Sequence, residues 1–165
     1  MGTNTEENLK EAFAGESQAN RKYLAFAEKA EEEGYPQIAR LFRAAAEAET
    51  VHAHNHFRVM KGIKSTRENL QEAINGETHE FKKMYPGMVS QAKAEKKDEA
   101  FETFHFANEV EKIHAALYIK ALADLGKNEV VDYYLCPVCG NTVEKAPPER
   151  CPICNTPGKK FIKIA

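Results

Sequence analysis

Glutamates in the middle of four helical apolar faces constrain this chain more than any other feature of its sequence. From about residue 5 to residue 125, apolar side chains recur every three or four positions, which is typical of amphipathic helices. The four faces are interrupted at matching height, by Glu16, Glu49, Glu77 and Glu111. One such carboxylate can reach solvent at the edge of its face, but burying four unpaired carboxylates would cost several kcal/mol each. The pattern therefore predicts a bundle whose interior holds compensating positive charge.

Turn signals divide the helical region into four helices. Gly34 and Pro36 separate the first helix from the second, and Gly62 ends the second. Ser65 and Thr66, with Glu68 and Asn69 following, predict a cap for a connecting segment that leads into the third helix. Pro86 predicts a kink or local break inside the third helix. Asp98 is expected to cap the fourth helix, and Gly126 to end it. Because the connection between the second and third helices is the longest, we predict a mainly α fold, a ferritin-like four-helix bundle with one long crossover.

Two of the interrupting glutamates are followed three residues later by a histidine. Glu49 precedes His52 and Glu111 precedes His114, a spacing that places carboxylate and imidazole on one helix face. One glutamate from each of two helices, with a Glu-x-x-His pair from each of the other two, is the ligand set of di-iron and di-manganese bundles. The candidate metal ligands are Glu16, Glu49, His52, Glu77, Glu80, Glu111 and His114.

Helix three offers two carboxylates, Glu77 and Glu80, where the minimal ligand set needs one. Two interpretations stay open. In the first, one of the two glutamates is a surface residue or a hydrogen-bond acceptor that supports a ligand. In the second, both can bind and the metal exchanges one ligand for another. In that exchange ferric iron, the harder ion, takes a carboxylate and ferrous iron takes His52. The five carboxylates nearly balance two divalent ions, or two trivalent ions bridged by oxide, so iron or manganese can change oxidation state there. Zinc cannot.

An internal repeat supports this arrangement. AFAGESQANRKY matches AINGETHEFKKMY, which aligns Glu16 with Glu77 and Tyr23 with Met84, beside Tyr85. AETVHA matches VEKIHA, which aligns the two Glu-x-x-His pairs. The repeat predicts two helix pairs related by a pseudo-two-fold axis between two metals.

Tyr23 is either a hydrogen-bond donor to Glu16 or a core tyrosine, and His56 is more often a packed or supporting histidine than a ligand. Outside the faces lie three histidines predicted to be solvated, His54, His79 and His105.

Composition restricts the setting. The formal net charge of −2 argues against a general nucleic-acid binder. The charge is uneven along the chain: residues 136–165 carry five Lys/Arg and two Asp/Glu, whereas residues 1–135 carry 18 Lys/Arg and 23 Asp/Glu. No apolar run is long enough to cross a bilayer, and the polar start MGTNTEENLK does not resemble a secretion signal. We therefore expect a cytoplasmic protein with reduced thiols and no membrane partner.

All four cysteines lie in the last part of the chain, in two Cys-x-x-Cys knuckles. Cys136 and Cys139 form the first knuckle and Cys151 and Cys154 the second, a spacing typical of metal sites. Judged alone the pattern favours a zinc ribbon, but a two-electron site in the same chain needs a supply of single electrons, which favours iron. Gly140 and Asn155 follow the knuckles and are expected to let backbone N–H groups point at sulfur. The predicted domains are 1–127 for the bundle, 128–135 for a linker and 136–165 for a tail that needs its metal to fold.

Five motifs together resemble the rubrerythrin family across essentially the whole chain. They are GESQANRKYLAFAEKAEEEGYP, AEAETVHAHNHF, GETHEFKKMYP, VEKIHA and the terminal CPVCG…CPIC. The resemblance implies a di-iron bundle joined to a rubredoxin-like Fe(Cys)4 domain, hence two irons, oxo- or hydroxo-bridged, and one further iron. It also implies reduction of hydrogen peroxide to water in oxidative-stress defence, with electrons from rubredoxin or a similar carrier and its NAD(P)H reductase.

The same resemblance assigns roles to the candidate residues. Glu49 and Glu111 would bridge the irons. Glu16 would be terminal on one iron, with Glu77 giving way to His52 on reduction. Glu80 and His114 would be terminal on the other iron. Tyr23 and Tyr85 match tyrosines that support the ligands in this family. A head-to-tail homodimer, in which the tail of one chain serves the bundle of another, is a further expectation.

Three other functions stay open from the sequence. An oxygen reductase would use every residue named above. A ferroxidase or other iron-handling protein would use the same bundle but has no need of a thiolate centre. A non-redox protein with a zinc-ribbon docking tail would leave the interior glutamates unexplained.

Overall fold

Two long helices form the first of two compact units in the computed structural model, which describes residues 4–164. Helix α1 spans Asn4–Glu32 and helix α2 spans Pro36–Val59. Gly34 adopts a φ of +81° in the turn between them, a conformation that suits glycine at a helix end. This unit ends at Lys64 and the second begins at Ser65.

Small side chains let α1 and α2 pack closely. Ala27 and Ala39 are fully buried, and Ala30 and the ring of Phe42 pack with them. Nearer the middle of the pair, the Asn20 side-chain amide donates hydrogen bonds to the Ala46 carbonyl (2.7 Å) and the Thr50 hydroxyl (2.9 Å). These bonds satisfy a polar group inside the interface and hold the two helices in one register.

The second unit contains the remaining helices. Helix α3 spans Thr66–His79, α4 spans Tyr85–Ala94 and α5 spans Asp98–Ala123. Ser65 caps α3 directly through a capping box with Glu68, which confirms the predicted cap and leaves no separate connecting segment after it. The connection at residues 60–65 is longer than those at 33–35 and 95–97, as predicted.

A π-helical turn, Glu80–Met84, joins α3 to α4 and is the local break predicted at Pro86. The Tyr85 N–H bonds to the Glu80 carbonyl, five residues back, so the helix widens just before the proline ring, which cannot fit a regular turn. A π turn also absorbs one extra residue. Because of this extra residue, Tyr85, and not Met84, is the counterpart of Tyr23 in the internal repeat.

The cap predicted at Asp98 is wrong in detail. Asp98 is the first residue of α5, and Lys97 holds the cap position without a side-chain hydrogen bond. The carboxylates of Asp98 and Glu99 instead lie in the first turn, where the helix dipole favours negative charge.

The tail of the second unit is a small antiparallel sheet with two metal knuckles. Strands β1 (Tyr133–Leu135), β2 (Thr142–Glu144) and β3 (Ile162–Ile164) are arranged in the order β2-β1-β3. The side chains that this segment buries most fully are Cys136, Asn141 and Cys151. A core of thiols and an amide, without large apolar side chains, agrees with the prediction that the tail depends on its metal.

Among residues 4–164, no helix combines the length and the apolar character that crossing a bilayer would require.

Candidate metal centres

Glu16, Glu49 and His52 converge within the first unit. One ligand atom from each lies within 4.8 Å of the others. The His52 Nδ1 is 3.0 Å from a Glu49 carboxylate oxygen and 3.8 Å from one of Glu16. Glu49 and His52 share a face because they are three residues apart on α2, and the packing of α1 against α2 adds Glu16. We name this cluster half-site 1.

Glu77, Glu111 and His114 form the equivalent cluster, half-site 2, in the second unit. Their ligand atoms again lie within 4.8 Å of one another. The His114 Nδ1 is 2.7 Å from a Glu111 oxygen and 3.9 Å from one of Glu77. Each half of the internal repeat therefore builds the same constellation, a carboxylate from one helix and a Glu-x-x-His pair from the next.

Half-site 2 brings several carboxylates together, and a bound cation would balance their charge. Burial, a hydrogen bond with Glu111 and the charges of Glu111 and Glu80 together raise the pKa of Glu77 to about 7. Burial also raises the pKa of Glu80, again with help from Glu111. Carboxylates that resist ionisation beside an imidazole nitrogen are a donor set that suits iron or manganese, because a bound cation removes their mutual repulsion. The residues therefore fit the predicted metals.

Six of the seven predicted ligands thus meet in the two half-sites, and Glu80 lies beside half-site 2. Glu80 begins the π turn, and Glu111 and His114 are among the groups that shift its pKa. It is not among the three residues whose ligand atoms converge in half-site 2. The individual ligand roles remain predictions.

Two tyrosines belong to the surroundings of half-site 2. Burial and the charges of Glu80, Glu111 and Glu77 raise the pKa of Tyr85. Burial, Glu77 and Glu111 do the same for Tyr118, which the sequence analysis did not single out although it lies one turn beyond His114. Tyr23 packs beside Phe42, with ring centroids 6.2 Å apart, and its hydroxyl has no hydrogen-bond partner within residues 4–164.

The remaining histidines lie where they were predicted. His54 and His79 are exposed, and His105 is exposed with its ring stacked on Phe101. His56 is half-buried and does not belong to either half-site.

The four cysteines bring their sulfurs together in the tail. All are free thiols, and their Sγ atoms lie within 4.8 Å of one another. Cys136 and Cys154 are 3.5 Å apart at sulfur, as are Cys139 and Cys151. Four thiols at the corners of such a small volume form a tetrahedral site for one metal ion.

Backbone N–H groups in both knuckles tune these thiols, as predicted, and Gly140 and Asn155 help by closing the turns. Gly140 and Asn155 have φ values of +82° and +62°, and their N–H groups bond to the carbonyls of Cys136 and Cys151 instead of to sulfur. These bonds close each knuckle into a tight turn, which aims the N–H groups inside the knuckle at the first sulfur.

The result is an uneven set of thiol pKa values. Burial opposes ionisation of Cys136, but the backbone N–H groups of Cys139 and Val138, together with neighbouring thiols, lower its pKa to about 7. The pKa of Cys151 falls for the same reasons, again against burial. Burial raises the pKa of Cys139. Two thiols disposed to be thiolates suit the first steps of metal capture.

The tail also contacts α5 of its own chain. The Thr142 hydroxyl lies 3.1 Å from the His114 Nε2, and Lys120 forms an ion pair with Glu144. Gly140 lies against the buried Val110. Sequence reasoning missed Thr142, since neither its type nor its position in the tail indicates contact with a residue 28 positions earlier.

Comparison with known proteins matches both parts of the chain. The Rubrerythrin family description fits residues 7–122, and the description "Rubrerythrin, rubredoxin-like domain" fits residues 134–162. This chain belongs to the rubrerythrin family. It is 42% identical to Rubrerythrin-2 of Clostridium acetobutylicum over 95% of both chains. It is 37% identical to nigerythrin of Nitratidesulfovibrio vulgaris over 95% of this chain and 85% of that one.

Solved structures agree with this assignment. A structure of nigerythrin in a mixed-valence state matches 99% of this chain and 88% of its own, with 36% identity and a TM-score of 0.59. Membership of the rubrerythrin family confirms the predicted fold class, a ferritin-like helical domain followed by a small rubredoxin-like domain. It also identifies the metal centres as a di-iron site and a mononuclear iron site held by four cysteines.

Proposed function

We propose that this rubrerythrin-family oxidoreductase is a peroxidase in oxidative-stress defence. It would reduce hydrogen peroxide to water with electrons that enter through the Fe(Cys)4 centre. Each peroxide molecule takes up two electrons and two protons and yields two molecules of water. The observation that carries the proposal is that one chain holds a four-thiol cluster and two carboxylate–histidine clusters. A two-electron reaction that is resupplied by a one-iron centre needs both.

The chain's residues divide the work of holding the irons. Half-site 1 and half-site 2 would each contribute to the di-iron site, with Glu49 and Glu111 as bridges and the other ligands terminal. When bound, the irons supply two electrons by passing from the ferrous to the ferric state. Glu77 and His52 are the proposed participants in ligand exchange, with Glu77 giving way to His52 on reduction, and the His52 side chain is 54% exposed.

Protons and hydrogen bonds for the substrate would come from the residues around half-site 2. The raised pKa values of Tyr85 and Tyr118 keep both hydroxyls protonated at neutral pH, so both can donate a hydrogen bond to a substrate oxygen. The partial burial of Tyr85 strengthens such a bond, because less water competes for its hydroxyl, whereas Tyr118 is more exposed.

The electron donor in this proposal is rubredoxin or a similar carrier, reduced by an NAD(P)H-dependent enzyme in the cytoplasm. The resemblance to the family implies a head-to-tail homodimer, in which the tail of one chain would serve the bundle of another. The contact of Thr142 with His114 offers a second arrangement, in which the tail serves its own α5.

An anaerobic stopped-flow experiment tests the proposal. The reduced protein is mixed with hydrogen peroxide, and the visible absorption of ferric thiolate is followed. Rapid return of the absorption, faster with peroxide than with an equal concentration of dioxygen, supports a peroxidase. Faster return with dioxygen would identify an oxygen reductase. Iron uptake beyond the stoichiometry of the two sites would identify an iron-handling protein.

A further inference from the structure

His114 is held at both ring nitrogens, and the second contact comes from the tail. Its Nδ1 lies 2.7 Å from a Glu111 oxygen, on the side of half-site 2. Its Nε2 lies 3.1 Å from the Thr142 hydroxyl. The ring therefore bridges the carboxylate cluster and the rubredoxin-like tail, and its side chain is only 27% exposed.

The hydrogen bonds of Thr142 determine which nitrogen carries the proton. The Thr142 hydroxyl also lies 3.2 Å from the Gly140 carbonyl, which can only accept, so the single hydroxyl proton goes there. The hydroxyl oxygen is then an acceptor for His114, and Nε2 must carry the ring proton. In the neutral ring this leaves the Nδ1 lone pair facing Glu111 and Glu77, which is the orientation that a metal ligand needs.

The internal repeat supplies a natural comparison. His52 makes the corresponding Nδ1 contact with Glu49, at 3.0 Å, but its Nε2 has no hydrogen-bond partner within the described residues 4–164. Its side chain is also twice as exposed as that of His114. The two Glu-x-x-His pairs are alike in sequence, yet only one is held in place from outside the helices.

We propose that Thr142 is a positioning residue for the metal centre: it fixes His114 as the Nε2–H tautomer and locks the ring with Nδ1 toward half-site 2. The bond from Thr142 to Gly140 connects this brace to the first knuckle, because Gly140 directly follows Cys139. A tail that has folded around its metal therefore also prepares His114 to bind. This inference rests on the proposed role of His114 as a ligand.

Three variants of the full-length chain test the proposal. Thr142→Val keeps the shape of the side chain but removes the hydroxyl. Thr142→Ser restores the hydroxyl. Lys120→Met removes the ion pair with Glu144 and loosens the tail on α5 without touching His114. Each chain is prepared with zinc in the four-cysteine site, which keeps the tail folded and the protein diamagnetic.

Two readouts are then compared, neither of which is turnover. Long-range 1H–15N spectra report the His114 tautomer, and titration with Zn2+ against a chelator reports the affinity of the carboxylate site. We expect Thr142→Val to lose the pure Nε2–H signature and to bind about 10- to 100-fold more weakly, the usual effect of removing a supporting hydrogen bond from a metal ligand. Thr142→Ser and Lys120→Met should both stay within about threefold of the unmodified chain, well below that range.

Each outcome decides the proposal. An unchanged tautomer and affinity in Thr142→Val would overturn it, as would an equal loss in Lys120→Met, which would assign the effect to tail docking in general. If the unmodified chain takes up no zinc at the carboxylate site, the proposed di-metal function fails instead. Uptake in the unmodified chain with no effect of Thr142→Val leaves that function standing and refutes only the role of Thr142.

Discussion

His114 lies between Glu111 and Thr142, with Nδ1 2.7 Å from the carboxylate and Nε2 3.1 Å from the hydroxyl. Glu111 is one turn away on the same helix, whereas Thr142 belongs to a strand of the tail. The relationship joins the two metal-binding parts of the chain through one imidazole ring, and it gives the tail a structural effect on half-site 2 in addition to any electron transfer.

Replacing Glu111 with glutamine should abolish peroxide turnover and leave the ferric thiolate absorption of the tail intact. The amide cannot supply the negative charge of a bridging ligand, and we expect turnover to fall by more than about 100-fold, beyond the usual effect of a supporting residue. Steady-state peroxide consumption and the visible spectrum measure the two effects. Glu109→Gln is the matched control, because Glu109 lies on the same helix but pairs with Lys112 at 2.6 Å. Retained turnover in Glu111→Gln would refute its assignment as a ligand.

Mixed assemblies should show whether the tail serves its own chain. One chain carries Cys136→Ser, which disables the tail, and the other carries Glu111→Gln, which disables half-site 2. Because Thr142 contacts His114 of the same chain, we expect no recovery of peroxide turnover in mixed assemblies isolated with two affinity tags. Recovery to about half the unmodified rate, one working site in two, would show that each tail serves its partner, as the head-to-tail dimer predicts.

Removing the tail's metal should unfold the tail but not the helices. Its best-buried side chains are thiols and Asn141, so little apolar burial is left to support the sheet once the metal is gone. In the double variant Cys136→Ser/Cys151→Ser, amide hydrogen exchange should become fast throughout residues 133–164. Exchange in α1 and α2 should match the unmodified chain and serves as the internal control. Persistent protection of β1 and β3 would mean that the tail folds without metal.

Replacing Ser65 with alanine should destabilise the second unit by about 1 kcal/mol, the usual cost of losing a helix cap. The side chain accepts a hydrogen bond from the Glu68 backbone, and Glu68 bonds back to the Ser65 N–H at 3.1 Å. Urea unfolding followed by circular dichroism measures the free energy of unfolding. Ser90→Ala, an exposed position inside α4, is expected to change it by less than about 0.5 kcal/mol. Equal effects of the two substitutions would contradict the capping role.

Local rules predicted much of the fold correctly, and they predicted which candidate ligands share a helix face. The local break near Pro86 and the cap at Ser65 follow from short stretches of sequence, because a proline ring and a capping hydroxyl act on backbone groups a few residues away. The same holds for the pairing of Glu49 with His52, which needs only helical spacing. Asp98 was misplaced by one residue because a short acidic side chain suits both a cap and a first turn.

The sequence by itself determined the candidate ligands: seven carboxylates and imidazoles at helical spacing and four cysteines in two knuckles. Only the tertiary structure decided what supports them. The hydroxyl of Thr142 reaches His114 because β2 docks on α5, and the pKa of Tyr118 is raised by burial and by Glu77 from another helix as well as by Glu111. Spacing along one helix determines which residues share a face. Contacts between distant segments depend on how whole elements pack, and no local pattern encodes them.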